Sequence, residues 1–157
     1  MKCYKNKFKG YLEGLAARQP APGGGSAVCL VFCFGVSLIE KAVNYSIKDK
    51  QLRKSLSGLS ALKKKVYPYI DEDGFIFKKI MLEKGEKRRE LLKKSNRIMR
   101  DTKKACQRVF LLAKEVKSGI KKSIISDFEI GLDFVKSAVK GCEANLKANK
   151  AFFVKQK

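Results

Sequence analysis

Apolar residues recur at helical spacing along nearly the whole chain. In the first segment, residues 2–17, Phe8, Leu12 and Leu15 lie three or four positions apart, which places them on one face of a helix. Residues 27–39 are almost entirely apolar, which is the pattern of a helix buried on nearly all sides. The spacing therefore predicts an all-α protein with this apolar segment at its centre.

Breaks in the pattern divide the chain into about five helices, the usual arrangement of an up-and-down bundle. The third helix should be kinked at Pro68, because proline lacks a backbone donor. Ser26 and Ser126 are of a type that caps helix N-termini, and Glu129 follows Ser126 at capping-box spacing. The predicted helices cover residues 2–17, from 24–26 to 48, 50–83, 86–118 and 126–153. We predict a single domain over residues 1–157.

The charge balance narrows the class of partner. The chain has 36 Lys and Arg against 15 Asp and Glu, a formal net charge of +21, and such a field attracts polyanions. Nucleic acid, an anionic membrane and a small acidic substrate all fit, as does a merely solvated basic surface. The basic residues are spread along the chain without interleaved aromatics or a nucleic-acid motif, which argues against nucleic acid.

The cysteines and the missing histidine exclude several chemistries. The five cysteines have irregular spacing and no secretory signal precedes them, so we expect reduced thiols in a cytoplasmic protein. Without histidine there is no Ser-His-Asp or Cys-His arrangement, and no metal-ligand spacing is visible. The apolar run of about 13 residues is too short to span a bilayer. The cysteines are Cys3, Cys29, Cys33, Cys106 and Cys142.

A proline- and glycine-rich turn precedes the central helix. It reads Pro-Ala-Pro-Gly-Gly-Gly-Ser over residues 20–26. A glycine-rich loop that leads into a helix exposes backbone N–H groups at the positive end of the helix dipole, which favours an anion. The alternative is a flexible linker. We predict a substrate-binding turn formed by Pro22, Gly23, Gly24, Gly25 and Ser26.

Carboxylates cluster at residues 71–73, where Asp71 and Asp73 flank Glu72. The two aspartates do not share a helix face, and each lies one turn from a phenylalanine, Phe75 or Phe77. A carboxylate beside apolar surface can have a raised pKa and act as a general acid or base. The alternative is a solvated cluster paired with nearby lysines.

A stripe of small, aromatic and amide residues, with Asp127 at its start, runs along one face of the last helix. Small residues let a ligand or another helix approach closely, and asparagines buried on such a face need hydrogen-bond partners. A ligand site and tight helix packing are both consistent with the pattern. Stepping by threes and fours, the stripe contains Asp127, Gly131, Phe134, Ala138, Gly141, Asn145 and Asn149.

Taken together, these motifs resemble the formiminotetrahydrofolate cyclodeaminase and methenyltetrahydrofolate cyclohydrolase family. Members carry a Pro-x-Pro-Gly-Gly-Gly-Ser turn before an apolar helix, as at residues 20–26. They carry Asp-x-Asp followed by phenylalanine, matched by Asp71, Asp73 and Phe77. They also carry Ser-Asp and then a glycine-containing helix with two asparagines. Here those positions are Ser126, Asp127, Gly141, Asn145 and Asn149.

The resemblance implies an all-α homodimer with its sites near the subunit contact. It implies ring closure of 5-formiminotetrahydrofolate with loss of ammonia, hydrolysis of 5,10-methenyltetrahydrofolate to 10-formyltetrahydrofolate, or both. No metal or nucleotide cofactor is implied, and the tetrahydrofolate substrate can carry several glutamates. Related domains occur fused to a formiminotransferase.

The resemblance also suggests roles for the candidate residues. Asp71, Asp73 and Asp127 are candidate catalytic carboxylates, each able to stabilise the cationic methenyl carbon or to activate water. Asn145 and Asn149 are candidates for binding the pterin edge, and the glycine turn for binding a carboxylate or water. Two alternatives remain: a non-catalytic basic protein that binds a polyanion such as RNA, and a family member without activity.

Overall fold

Six α-helices of 12 residues or more make up most of residues 4–154, the part of the chain that the computed structural model describes. Two short 3₁₀ turns, at 117–119 and 122–124, connect the last two helices, and no strand occurs in the described part. The predicted all-α class is confirmed. The helices are α1 Lys5–Ala16, α2 Gly24–Ser46, α3 Lys50–Val66, α4 Tyr69–Leu82, α5 Gly85–Val116 and α6 Ile125–Val154.

Three details of the predicted helices differ from the structure. Pro68 separates two helices, α3 and α4, rather than kinking one, because a proline ring interrupts helical hydrogen bonding. Gly23 occupies the cap position of α2, so Ser26 lies inside the first turn and does not cap it. Helix α6 begins at Ile125, one residue before Ser126. Residues 2–3 of the first predicted helix lie outside the described residues.

Helix α2 is the central helix of the bundle. Its buried side chains, which include Phe32 and Ile39, form the core with residues of α3, α4, α5 and α6. By length and composition α2 would also pass as a membrane span, but 61% of its most apolar window is buried inside the bundle. Its hydropathy is thus accounted for by its position in the core, as the sequence predicted.

Helices α2 and α6 are in backbone contact because glycines face each other across their interface. A Cβ added to Gly35 would lie 2.7 Å from the carbonyl oxygen of Gly131, and one added to Gly131 would lie 2.7 Å from that of Gly35. Further along, a Cβ on Gly141 would overlap Val28. Tight helix packing is therefore the role of the middle of the α6 stripe, where Ala138 is also buried.

Several polar groups inside the bundle are paired across its elements. The ammonium of Lys63 bonds the buried carboxylate of Glu40 and lies 3.2 Å from the hydroxyl of Ser37, which joins α3 to α2. The Asp49 carboxylate accepts a hydrogen bond from the Leu52 amide and caps α3. A Ser46 hydroxyl accepts from the Lys121 amide, which fixes the connection before α6.

The four described cysteines are free and buried. Burial raises the pKa of three of these thiols to about 12 and that of Cys33 to about 11. They are therefore protonated packing residues at neutral pH. The buried thiols are Cys29, Cys33, Cys106 and Cys142, and Cys3 lies outside the described residues.

Replacing Gly131 by alanine should destabilise the fold. The new Cβ would lie 2.7 Å from the Gly35 carbonyl oxygen and 2.8 Å from Ile39, and overpacking of this kind costs about 1–3 kcal/mol. The matched control is Gly10→Ala in α1, where an added Cβ meets nothing within 4 Å. The control should be neutral, or more stable by about 0.5–1 kcal/mol from helix propensity. Urea unfolding of both variants tests this, and equal stabilities would contradict the packing account.

Candidate active site

The glycine turn, α4, α5 and α6 enclose a small cavity of about 80 Å³ at the N-terminus of α2. Residues from three motifs that the sequence singled out therefore meet in one place, although they are far apart in the chain. The lining residues are Pro20, Gly23, Gly24, Gly25, Asp73, Gly74, Phe77, Ser95, Asn145 and Asn149.

Asp73 is the carboxylate at the centre of this cavity. It lies in α4 and is only 5% exposed. Its Oδ1 accepts a hydrogen bond from the Ser95 hydroxyl at 3.2 Å, and the backbone amide of Ser26 also donates to its carboxylate. Asp73 is thus held from two sides, by α5 and by the first turn of α2.

Gly25 is the residue that lets Asp73 reach the α2 backbone. A Cβ built on Gly25 would overlap the carboxylate, with Cγ of Asp73 at 2.6 Å and Oδ1 at 2.8 Å. Any larger residue would have to displace Asp73. The sequence predicted an anion site at this helix N-terminus, and the structure shows that one of its amides, that of Ser26, binds the protein's own carboxylate.

Burial raises the pKa of Asp73 above its ordinary value, and the hydrogen bonds from Ser95 and from the Ser26 amide lower it in part. The cause is desolvation, which penalises the charged form of a buried acid. The sequence had indicated that a carboxylate of this cluster beside apolar surface can have a raised pKa, and Asp73 is the one that lies buried. A carboxylate whose pKa is raised is a stronger proton acceptor than an ordinary aspartate, a property that general bases use.

Asn149 and Asn145 reach the same cavity from α6. The buried amide of Asn149 donates to Asn96 Oδ1 at 2.9 Å and to the Ser95 hydroxyl at 3.3 Å. Asn149 thereby orients the serine that bonds Asp73. Asn145 donates to the carbonyl oxygen of Gly141 at 3.0 Å and stays half-buried at the cavity wall. Both asparagines therefore line the cavity. The C-terminal end of the α6 stripe contributes to this site as well as to helix packing.

On the other side of the turn lies a larger cleft of about 320 Å³. Asp71, Pro22 and Ser26 line it, so these three predicted residues face the cleft and not the inner cavity. The Ser26 hydroxyl lies 3.0 Å from the Tyr11 hydroxyl, and burial raises the pKa of Tyr11. Asp71 is exposed, in contrast to Asp73, as expected for aspartates on different helix faces.

Asp127 lies apart from both the cavity and the cleft. Its carboxylate pairs with the Lys41 ammonium at 2.6 Å, at the opposite ends of α6 and α2 from the glycine turn. Along α6 it is about 27 Å from Asn145, since an α-helix rises about 1.5 Å per residue. Within one chain, the structure does not bring Asp127 to the other candidate residues.

Ser95, Asn96 and Tyr11 belong to the site but were missed from the sequence. Ser95 and Asn96 are buried on the core-facing side of α5, between Leu92 and Met99. Two polar residues in phase with that apolar face were a usable signal, because buried polar groups need partners. The sequence around Tyr11 carries no such signal, because Tyr11 reaches the site only through the tertiary contact of its hydroxyl with Ser26 of the turn.

No cluster of three or more His, Cys, Asp or Glu side chains in the described residues is arranged to hold a metal ion. Among the residues that line the cavity, Asp73 is the only one with an ionisable side chain.

Comparisons with known proteins agree with this fold. The fold is that of a cyclodeaminase: the structure superposes on the crystal structure of formiminotetrahydrofolate cyclodeaminase from Thermotoga maritima with a TM-score of 0.82 and 19% identity. The match covers 91% of this chain and 77% of that one. The sequence profile of the formiminotransferase-cyclodeaminase family matches residues 7–156, so the chain belongs to that family. No curated protein matches the chain.

The raised pKa of Asp73 gives a pH signature in stability. Between the ordinary aspartate pKa and the raised one, the folded protein binds more protons than the unfolded chain, so this group makes stability fall as pH rises through that window. Asp73→Asn removes the effect. The free energy of unfolding of Asp73→Asn minus that of the natural protein should therefore increase from about pH 4 upward and then level off. Denaturant titrations at several pH values test this, and a difference that stays constant or falls would contradict it.

Gly25→Ala and Gly24→Ala form a matched pair. The Gly25 variant must displace Asp73, and we expect a loss of about 1–3 kcal/mol of stability, as for other overpacked sites. At Gly24 an added Cβ lies 3.5 Å from Asn145, an ordinary contact, so that variant should keep its stability. Thermal or urea unfolding of the two proteins distinguishes them. A tolerated Gly25→Ala would show that Asp73 does not need this approach.

Proposed function

We propose that this protein is a tetrahydrofolate one-carbon enzyme, which closes 5-formiminotetrahydrofolate with release of ammonia, hydrolyses 5,10-methenyltetrahydrofolate, or does both. The observation that carries the proposal is the buried carboxyl of Asp73, with its raised pKa. Family membership and the cyclodeaminase fold support the substrate class. The comparisons give no support to the alternative of a basic protein that binds RNA.

In the hydrolysis, Asp73 acts as the base for water. Water adds to the methenyl carbon as the carboxylate takes one of its protons, and the bond from that carbon to N5 then breaks. Asp73 returns its proton to N5 as that bond breaks, the hydroxyl of the adduct releases its own proton to water as the formyl C=O forms, and the formyl group stays on N10. The carboxylate also stabilises the cationic methenyl group by its charge. That cation in turn favours the ionised form of Asp73, which makes it a better-populated base in the complex.

In the ring closure, the same carboxyl group moves protons between two nitrogens. N10 attacks the formimino carbon and loses its proton, and the formimino nitrogen gains protons and leaves as ammonia. Both reactions need a proton acceptor and donor beside one carbon atom. A carboxyl with a raised pKa suits both roles, because acid–base catalysts work best when their pKa approaches the working pH.

Ser95 and Asn149 position this carboxyl, and Asn145 contacts the substrate. Asn149 already uses its amide hydrogens on Ser95 and Asn96, whereas Asn145 lies half-buried at the wall. We therefore assign the predicted contact with the pterin edge to Asn145. The resemblance's other expectations, namely a cytoplasmic enzyme without a metal or nucleotide cofactor and with substrates that can be polyglutamated, belong to this proposal.

The proposal includes a homodimer, because an apolar surface is exposed where α1, α2 and α6 meet. The rings of Phe8 and Phe34 lie 5.8 Å apart, and Phe34 is 39% exposed, Phe134 38% and Ile130 47%. Phe134 packs beside Gly35, the residue that follows Phe34: a Cβ on Gly35 would lie 3.0 Å from Cβ of Phe134. Exposed apolar groups that form a contiguous patch are typical of protein–protein contacts.

Asp73→Asn should lower kcat/KM for 5,10-methenyltetrahydrofolate by about 10²- to 10⁴-fold, the usual contribution of a general base. The readout is loss of the substrate's ultraviolet absorbance above the buffer rate. Asp133→Asn is the control, since Asp133 pairs with Lys136 on the surface. Asp71→Asn and Asp127→Asn test the two other predicted carboxylates: we expect smaller losses than for Asp73→Asn. An Asp127→Asn protein as impaired as Asp73→Asn would move the base to the last helix.

Phe134→Lys should dissociate the proposed dimer, because it places a charge from each copy in the apolar surface. Sedimentation velocity at micromolar concentration should show monomer for the variant and dimer for the natural protein. Leu111→Lys is the control, as Leu111 is exposed on α5, away from this surface. A natural protein that sediments as a monomer would remove the dimer from the proposal.

A further inference from the structure

The cleft on the outer side of the glycine turn has no role in the chemistry at Asp73. Its volume of about 320 Å³ is four times that of the inner cavity, about 80 Å³, and Gly74 lines both. The two spaces therefore adjoin at α4. The side chains that give the cleft its chemistry are Tyr11, Gln19, Asp71, Phe75 and Lys78.

The inner cavity and the outer cleft differ in the size of the group that each can hold. About 80 Å³ corresponds to two or three water-sized groups, which is enough for the reacting carbon and a water but not for a bicyclic pterin with its substituent. The outer cleft reaches the lower end of the range for small-molecule sites, about 300–1,000 Å³. A substrate as long as tetrahydrofolate must extend out of the inner cavity, and the adjoining cleft is the space available.

The walls of the cleft fit an aromatic ring that carries a carboxylate. Tyr11 and Phe75 supply aromatic surface, and Phe75 is 65% exposed, an apolar area that a ring could cover. Lys78 follows Phe75 by three residues on α4, so both lie on the same side of the helix. Asp71 is the only carboxylate among the lining residues, and it suits an N–H donor such as an amide or arylamine.

We infer that this cleft binds the aminobenzoylglutamate part of the substrate, with the ring against Tyr11 and Phe75 and a glutamate carboxylate on Lys78. The identity of the ligand rests on the proposed function; the class, an aromatic amide with a carboxylate, rests on the cleft itself. Gly10 and Gly14 line the cleft from α1. A Cβ on Gly10 would meet nothing within 4 Å, whereas Gly14 lets Gln19 and Pro22 of the turn approach α1 closely.

The probe is p-aminobenzoyl-L-glutamate, titrated into the protein by calorimetry, which needs no turnover. Gly10→Leu should abolish binding, because Gly10 lines the cleft and a leucine there would take up part of its space. An added Cβ at Gly10 meets nothing within 4 Å, so we expect the variant to fold. Lys78→Gln should weaken binding about five- to tenfold, the scale of one charge-assisted contact. Lys79→Gln is the matched control, because Lys79 is exposed and lines neither space.

Turnover of the folate substrate separates this inference from the proposed function. If both hold, Lys78→Gln raises KM for the folate with kcat unchanged, as expected for loss of uniform binding. A second outcome is that the protein turns over the folate while Gly10→Leu and Lys78→Gln change neither KM nor the affinity for the probe. That result would support the proposed enzyme activity and overturn the assignment of the cleft. Probe binding that is lost in Gly10→Leu, without turnover, would support the cleft and overturn the reaction. Absence of both would overturn both.

Discussion

The contact between the Asp73 carboxylate and the backbone at Gly25 determines the rest of the site. It requires glycine at the first turn of α2, because a Cβ there would overlap the carboxylate. It draws α4 against α2, and it removes Asp73 from water, since the residue is only 5% exposed. Burial of one carboxyl is costly unless hydrogen bonds compensate. The Ser26 amide and the Ser95 hydroxyl provide that compensation.

These hydrogen bonds do not cancel the desolvation, and the pKa of Asp73 stays raised. The balance between desolvation and hydrogen bonding sets how readily Asp73 accepts a proton, which matters for the proposed function. A fully compensated carboxylate would be a permanent anion and a weak base, whereas an uncompensated one would stay protonated at neutral pH. A positively charged methenyl group next to Asp73 would shift the balance toward the anion when substrate binds. The basic surface of the protein, at +21, favours an anionic substrate over long range without acting on this local balance.

Much of the fold could be predicted from the sequence, because helical periodicity and breaks at proline and glycine are local signals. The central position of α2 followed from its apolar composition. The division at Pro68 was harder, since the same residue can kink a helix or end it. In the site, Asp73, Asn145 and the glycine turn were found through motifs, but their meeting is a tertiary fact. The prediction that the helix N-terminus binds an external anion did not anticipate that Ser26 donates its amide to Asp73.

The α6 stripe shows why one pattern can have two meanings. Gly131 and Gly141 are small because α2 lies against them, whereas Asn145 and Asn149 are uncharged because they face the cavity and its hydrogen bonds. Helical spacing alone could not divide these roles. Asp127 shares the spacing, yet it lies at the far end of the helix, where it pairs with Lys41. Because α6 is 30 residues long, two residues on the same face of it can lie too far apart to belong to one site.

The most direct measurement is the pH dependence of kcat/KM for 5,10-methenyltetrahydrofolate with the natural protein. This parameter reports the pKa of the essential base in the free enzyme. The account predicts that kcat/KM rises with pH through a single ionisation whose midpoint lies clearly above the ordinary aspartate value of about 3.9. A midpoint at or below that value, or turnover independent of pH across that window, would contradict the assignment of the buried Asp73 carboxyl as the base.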